Sequence, residues 1–264
     1  MLGSKRPPLL LCVVVALVLT YLVVPSLIVI VMSFSGGLFL EFPPRAVSFR
    51  WHETYWASQA WRDATIRSVK IGVLVTVLAT AIGTMASLAL VRPAWRGRSL
   101  VNALILSPVI VPTIVLSIGI YSVYARWRLI GTTIGLVLAH TLLGLPFVVL
   151  NVSAVLLKLD RSLDRAARIH GARPFYAFRQ VTLPLIWPGM AAGAILAFLT
   201  SFDEIVIAMF VSGGEPTLPK LMFDGIRYEL NPVVAAVSTQ LILITSLALL
   251  CSAWLRRRAE RFGG

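Results

Sequence analysis

Six long apolar runs, separated by short segments that hold most of the charges, set the pattern of this chain. The hydrocarbon core of a bilayer is about 30 Å thick, so a helix needs about 20 apolar residues to cross it. The runs predict six transmembrane helices, at about 9–32, 66–91, 102–124, 130–157, 186–211 and 233–255. The expected fold is therefore an all-α membrane protein, with 1–264 forming a single transmembrane domain.

The composition supports a membrane protein. Hydrophobic residues make up 58% of the chain and charged residues 13%, with a mean hydropathy of +0.87. Soluble domains average about 45–50% apolar and about 25% charged residues, so the values exclude a disordered chain and argue against a soluble enzyme. The first run is too long for the core of a signal peptide, and we expect a retained helix. Cys12 and Cys251 lie in apolar runs and are interpreted as small hydrophobic residues.

The basic residues predict the orientation in the membrane. The net charge is +13, and most of the 24 Lys and Arg residues fall in the N-terminal segment, the 92–100 loop, the 158–184 loop and the C-terminal segment. Cytoplasmic segments of membrane proteins carry an excess of Lys and Arg. We therefore expect both termini in the cytoplasm, with the basic loops beside anionic membrane lipid rather than nucleic acid.

The segment 33–65 is expected on the outer side. It contains Trp51, Tyr55, Trp56 and Trp61 together with charged residues. Such a mixture suits a helix at the membrane surface. The aromatic residues are interpreted either as a membrane anchor or as a contact surface for an outside partner.

Motifs for enzymatic chemistry are missing from the sequence. It contains no GxxxxGK[ST] loop for ATP, no HExxH zinc motif and no GxSxG nucleophile motif. The three histidines, His52, His140 and His170, are far apart in the predicted topology, and His140 is interpreted as a hydrogen-bonded structural residue. We therefore expect no catalytic residue, no metal site and no cofactor on this chain.

The 158–184 loop is the most informative segment. Gly171 suits the left-handed position that ends a helix, and Pro174 suits the first turn of another. Pro184 disfavours helix at Leu183, which predicts a break before the fifth span. The expected structure is two short helices on the cytoplasmic face, and the alternative is a solvated basic loop.

This loop resembles the EAA loop of the membrane subunits of ABC importers. That motif is Glu-Ala-Ala, three residues, Gly, nine residues, an aliphatic residue, one residue and Leu-Pro. The matching positions here are Ala166, Ala167, Gly171, Val181, Leu183 and Pro184. Arg165 occupies the position of the glutamate, and an acidic residue lies one place earlier, at Asp164.

Further segments are similar to the spermidine/putrescine-type branch of these permeases. They are Leu199–Met222, with Ser201-Phe202-Asp203-Glu204 and Thr217-Leu218-Pro219, together with Pro108 and Pro112 and the stretch from His140 to Pro146. The resemblance implies the MetI-like permease fold in the inner membrane of a bacterium. It also implies transport of polyamines or a related organic cation, with opines, amino-acid derivatives or ferric iron as alternative cargo.

The family resemblance implies a set of partners. They are a second permease subunit, which we expect to be a different chain, two ATPase subunits that hold ATP and Mg²⁺, and an extracytoplasmic substrate-binding protein. The residues implied in coupling to the ATPase are Asp164, Arg165, Ala166, Ala167, Gly171, Val181, Leu183 and Pro184. A transporter or channel that works without an ATPase is the competing class, and the EAA-like loop argues against it.

Two carboxylates of the fifth span are candidates for a transport path. Asp203 and Glu204 are about 17 residues, or about 26 Å along a helix, from its inner end. Carboxylates at such depth face the bundle interior or water. They would attract a cationic cargo, pair with a neighbour such as Arg126 or Arg128, or simply lie near the outer surface.

The third span supplies further candidates. Tyr121 and Tyr124 at its end are interpreted as an aromatic belt or as cation–π partners of a substrate amine. Pro108 and Pro112 each remove a helix hydrogen bond, so they predict a hinge or a static bend.

Overall fold

The computed structural model describes residues 8–91, 95–160, 162–169, 171–229 and 231–262, with the backbone alone at 164, 165, 168, 229 and 248–262. Over these ranges the regular secondary structure is helical, and the one extended pairing is an isolated antiparallel bridge between Ser35 and Val47. The helices are α1 (Leu9–Ser33), α2 (Arg50–Ala57), α3 (Gln59–Val91), α4 (Arg98–Ile110), α5 (Thr113–Trp127), α6 (Thr133–Lys158), α7 (Ser162–Ile169), α8 (Pro174–Ala177), α9 (Leu183–Phe202), α10 (Val206–Val211), α11 (Leu218–Asp224) and α12 (Val233–Phe262). Two π-helical turns cover Phe178–Thr182 and Gly225–Glu229.

The chain divides into two compact units. One is Asp63–Leu221, and the other combines the residues before and after it. In the unit formed by the residues before 63 and after 221, α12 packs against α1 and α2. His52 on α2 links the other two helices, because its Nε2 lies 3.3 Å from Ser33 Oγ and its Nδ1 lies 3.4 Å from Gln240 Nε2. Burial lowers the pKa of His52 below its ordinary value of 6.5, which favours the neutral ring.

Three of the four Trp and Tyr residues of 33–65 are buried, which leaves Trp56 for either of the roles that the sequence suggests. Trp51, Tyr55 and Trp61 are buried within their own unit, and of the four residues only Trp56 is exposed. The ring of Tyr55 contacts both Trp56 and Trp61. Trp51 and Tyr55 of α2 and Trp61 of α3 therefore pack into the protein, where large aromatic rings bury much apolar surface.

Helix α6 is the centre of the unit Asp63–Leu221. Stripes of small residues on α3 and α9 approach it closely: a Cβ placed on Gly83 would lie 2.7 Å from Val148 Cγ1, and one placed on Gly193 would lie 2.7 Å from Val148 Cα. The resulting core contains Ala79, Val148, Val152, Ile186 and Ala197, all buried. Small residues allow this approach because helix association in lipid depends on close van der Waals packing.

Four described helical segments are long and apolar enough to cross a membrane: Leu9–Ser33, Gln59–Val91, Thr133–Lys158 and Pro174–Phe202. The pair α4 and α5 makes a fifth if it is counted as one broken span, since the two helices are bent by 109°. Val233–Leu247 is a shorter apolar helix.

The predicted third span, 102–124, is therefore not one straight helix. Pro112 has no N–H, and its ring excludes Val111 from the helical region. Accordingly, Val111 is extended, with φ −73° and ψ 131°, and α5 begins after Pro112.

The predicted fifth span, 186–211, differs at both ends. The expected break at Leu183 is absent, because the helix runs from Pro174 to Phe202 through the π-helical turn Phe178–Thr182. In a π turn each N–H bonds to the carbonyl five residues earlier, one residue further back than in an α-helix. Pro184, which has no N–H, lies just after this turn, where the hydrogen bonding returns to the α-helical pattern. The helix instead ends at Phe202 and resumes at Val206.

The close approach at Gly193 yields a stability prediction. A Gly193→Val substitution should lower the melting temperature of the chain in detergent by several degrees, because overpacking a core costs about 1–3 kcal/mol. Gly119→Val is the matched control, since a Cβ on Gly119 meets nothing within 4 Å. Equal melting temperatures for the two variants would contradict this packing.

Candidate functional site

The 158–184 loop forms a defined helix end. Helix α7 ends at Ile169, and Gly171 adopts the left-handed conformation, with φ +84°. The N–H of Ala172 donates to the carbonyl of Ala167 at 3.1 Å. This 6→1 hydrogen bond across a left-handed glycine is the Schellman motif, so the predicted role of Gly171 in ending the helix is confirmed.

A groove follows this helix end. It has a volume of about 510 Å³ and is lined by Ala167, Gly171, Ala172, Arg173 and Tyr176. Two large apolar side chains nearby are strongly exposed: Ile169 is 84% exposed and Phe175 is 75% exposed. Exposed apolar side chains around a concave surface are typical of a protein contact site.

The remaining residues of the EAA-like motif divide between surface and core. Ala166 is exposed on α7, while Asp164 and Arg165 lie in the same helix with side chains outside the described part. Val181 belongs to the π-helical turn and is half-buried. Leu183 packs against the core around Val148, and Pro184 is exposed. The second half of the motif thus joins the loop to the helix bundle.

The two carboxylates of the fifth span have different surroundings. Asp203 is exposed, whereas Glu204 is 7% exposed. Glu204 Oε2 accepts the N–H of Ala208 at 3.1 Å and lies 3.7 Å from His140 Nε2. The side chain that Glu204 approaches is therefore His140, and not Arg126 or Arg128.

His140 has a second contact that the sequence does not show. Its ring is 1% exposed, and Nδ1 lies 3.0 Å from Ser201 Oγ. The interpretation of His140 as a hydrogen-bonded residue is consistent with this contact. Its partners are 61 and 64 residues away in the chain, so no local pattern could identify them.

The third-span candidates occupy distinct positions. Tyr121 is 44% exposed, and the edge of its ring contacts Phe210. Tyr124 is buried in the core that includes Ile71 and Ile207. Pro108 is buried inside α4, and Pro112 precedes α5 at the 109° bend.

Arg67 holds the 212–218 segment through contacts between residues that are about 150 positions apart in the sequence. Its Nη1 donates to the carboxylate of Glu215 at 2.6 Å and to the carbonyl of the same residue. The neighbouring Ser68 Oγ accepts the N–H of Leu218 at 2.7 Å. Two consecutive residues of α3 therefore fix this segment. Within the described ranges, no three His, Cys, Asp or Glu side chains come together as metal ligands.

Known proteins share both the sequence pattern and the fold. The family described as the inner membrane component of binding-protein-dependent transport systems matches residues 79–262. The chain belongs to this family. It is therefore an inner-membrane transport component.

Two curated relatives match almost the whole chain. The putrescine transport system permease protein PotI of Escherichia coli K12 is 30% identical over 94% of this chain and 91% of its own length. The spermidine/putrescine transport system permease protein PotC of the same strain is 30% identical over 90% of each chain. A crystal structure of a bacterial ABC transporter involved in alginate import aligns with a TM-score of 0.74 at 16% identity, covering 96% of this chain and 99% of that one. This last likeness shows the fold alone.

The left-handed glycine gives a prediction about the loop. A Gly171→Val variant should lose about tenfold in transport by the assembled complex, because a left-handed conformation costs a non-glycine residue about 1–2 kcal/mol. A Cβ at this position meets nothing within 4 Å, so the backbone angle and not crowding is the cause. The measurement is transport at equal membrane levels of each variant.

Gly171→Asn is the matched control, because asparagine tolerates the left-handed region. It should retain most of the transport. Full activity of Gly171→Val would contradict a role for this helix end.

Proposed function

We propose that this chain is a permease subunit of an ATP-driven ABC importer for polyamines or a related organic cation. The observation that carries the proposal is the short helix α7, closed by Gly171 beside an accessible groove. It occurs in a chain that is 30% identical to a putrescine permease over nearly its whole length. A loop of this form is suited to receive motion from another subunit.

The proposed topology has six membrane spans and both termini in the cytoplasm. The broken pair α4 and α5 counts as one span, and α12 is the sixth. The even number of spans agrees with basic segments at both ends of the chain. The positive-inside rule supports the same orientation, which leaves the groove beside Gly171 in the cytoplasm.

The proposed complex contains a second permease, which is a different chain, two ATPase subunits and an extracytoplasmic binding protein. ATP and Mg²⁺ bind to the ATPase chains, and this chain is not itself an enzyme. Helix α7 lies in a groove of one ATPase subunit. Closure of the ATPase pair moves the helix and rocks the bundle between inward-open and outward-open states.

The cargo assignment rests on charge and on the relatives. The relatives' names specify putrescine and spermidine. Asp203 provides an exposed carboxylate at the break in the fifth span, which suits a cationic amine. Tyr121, also exposed, offers a ring face for a cation–π contact. Opines, amino-acid derivatives and ferric iron are the alternative cargo, since the binding protein does most of the selection.

An Asp203→Asn variant tests the cargo path. In proteoliposomes that hold the full complex, it should reduce the putrescine transported per ATP hydrolysed by about tenfold, the effect of losing about 1.4 kcal/mol. ATP hydrolysis itself should continue, because Asp203 lies at the far end of the helical segment Pro174–Phe202 from Gly171 and α7. The readout is the ratio of putrescine transported to ATP hydrolysed. The apparent affinity for cargo is less informative, because the binding protein sets it.

Asp63→Asn is the matched control, because Asp63 is an exposed carboxylate elsewhere in the chain. It should leave the ratio unchanged. Competition experiments with spermidine, opines, amino acids and ferric iron complete the test. Competition by zwitterionic or anionic compounds alone, with an unchanged ratio for Asp203→Asn, would contradict polyamine cargo.

A further inference from the structure

The break between α9 and α10 presents a physical problem. A helix that begins inside a membrane has N–H groups without helical partners, and lipid offers no water to receive them. Helix α10 begins at Val206, three residues after Asp203. The carboxylate of Glu204 supplies a hydrogen-bond acceptor for the first turn of α10, because its Oε2 accepts the N–H of Ala208.

Glu204 is itself costly at this position. A carboxylate within the membrane region is expensive unless it is paired or hydrogen-bonded. The side chain is almost fully buried; its Oε2 accepts the amide N–H of Ala208 and lies 3.7 Å from the ring of His140. Glu204 is thus held between a helix end and a histidine of a different helix.

His140 contacts both sides of the break. Ser201, in the last turn of α9, lies 3.0 Å from Nδ1, and Glu204, just after that helix, faces Nε2. When the Ser201 hydroxyl donates to Nδ1, the ring proton is on Nε2, the nitrogen that lies 3.7 Å from the carboxylate. Nε2 makes no hydrogen bond within the described residues, and the Glu204 carboxylate 3.7 Å away is the charged group beside it.

Helix α6, which carries His140, packs tightly against α9. Four residues further along α6, Gly144 packs closely against α9, where an added Cβ would lie 3.1 Å from Ala197 Cβ. The backbones of the two helices are therefore held at short range near the break. The side chain of His140, which extends from α6, can therefore set the position of the segment 203–205 relative to this helix.

We propose that His140 is a positioning residue that clasps the break through Ser201 and Glu204, so that Asp203 alone meets the cationic cargo. Glu204 is then the anchor of the break and not a cargo ligand. This inference rests on the proposed importer function for the role of Asp203. The clasp itself depends only on contacts within the chain.

Three replacements of His140 separate positioning from simple packing. Glutamine places its amide near the position of Nε2 and keeps a donor for Glu204. Asparagine reaches only the position of Nδ1 and keeps the contact with Ser201. Leucine removes both contacts while filling the space.

The assay is putrescine transported per ATP hydrolysed by the full complex, at saturating binding protein. His140→Leu and His140→Asn should reduce this ratio by about tenfold, whereas His140→Gln should stay within about threefold of the wild type. Glu204→Gln should also stay close to the wild type, because its amide oxygen still accepts the N–H of Ala208. Asp203→Asn should show the full loss.

A second measurement does not depend on the cargo. Hydrogen–deuterium exchange of the Val206–Val211 amides should be about tenfold faster in His140→Leu than in the wild type and near normal in His140→Gln. Should His140→Leu fail to insert, the Asn and Gln variants decide the matter by the same comparison.

The outcomes distinguish this inference from the function on which it rests. A wild-type complex that transports no putrescine refutes the cargo assignment, while the exchange data still test the clasp. Equal exchange in all His140 variants overturns the clasp. A loss in Glu204→Gln as large as that in Asp203→Asn overturns the division of roles between the two carboxylates.

Discussion

The lack of water in the bilayer is the constraint on which the rest of this structure depends. Backbone N–H and C=O groups in lipid must be satisfied by the protein itself, so long continuous helices are the default. This chain departs from that default at Val111-Pro112 and at Asp203–Ile205. Each break is built differently. Pro112 has no N–H to satisfy, and Glu204 supplies an acceptor for an amide of the next helix.

One continuous helical segment connects the candidate coupling loop to the second break. Pro174–Phe202 begins three residues after Gly171 and ends one residue before Asp203. Its small residues lock it against α6, which also carries His140. Under the proposed function, a displacement of α7 would move this helical segment as a rigid body. The π-helical turn at Phe178–Thr182 lies at the end of the segment that adjoins the loop.

The sequence predicts the long helices well because lipid imposes one requirement, a run of apolar residues, on each of them. Local patterns also predict the ends of α1 and α6 and the left-handed conformation of Gly171. The break at Asp203 does not follow from a local pattern, since the residues around it contact His140, more than 60 residues away. The expected break at Leu183 fails because a π turn, which no local pattern announces, accommodates Pro184. The inward packing of Trp51 and Tyr55 depends equally on contacts that are distant in the sequence.

The accessibility of a single cysteine in α7 tests the central claim most directly. In a chain whose native cysteines are replaced by alanine, Ala166→Cys should react with a membrane-impermeant maleimide only from the cytoplasmic side. Bound ATPase should block the reaction. Ala46→Cys, at another exposed position, in the segment 33–65, should react only from outside and irrespective of the ATPase. Labelling of Ala166→Cys from outside, or equal labelling with and without the ATPase, would contradict the account.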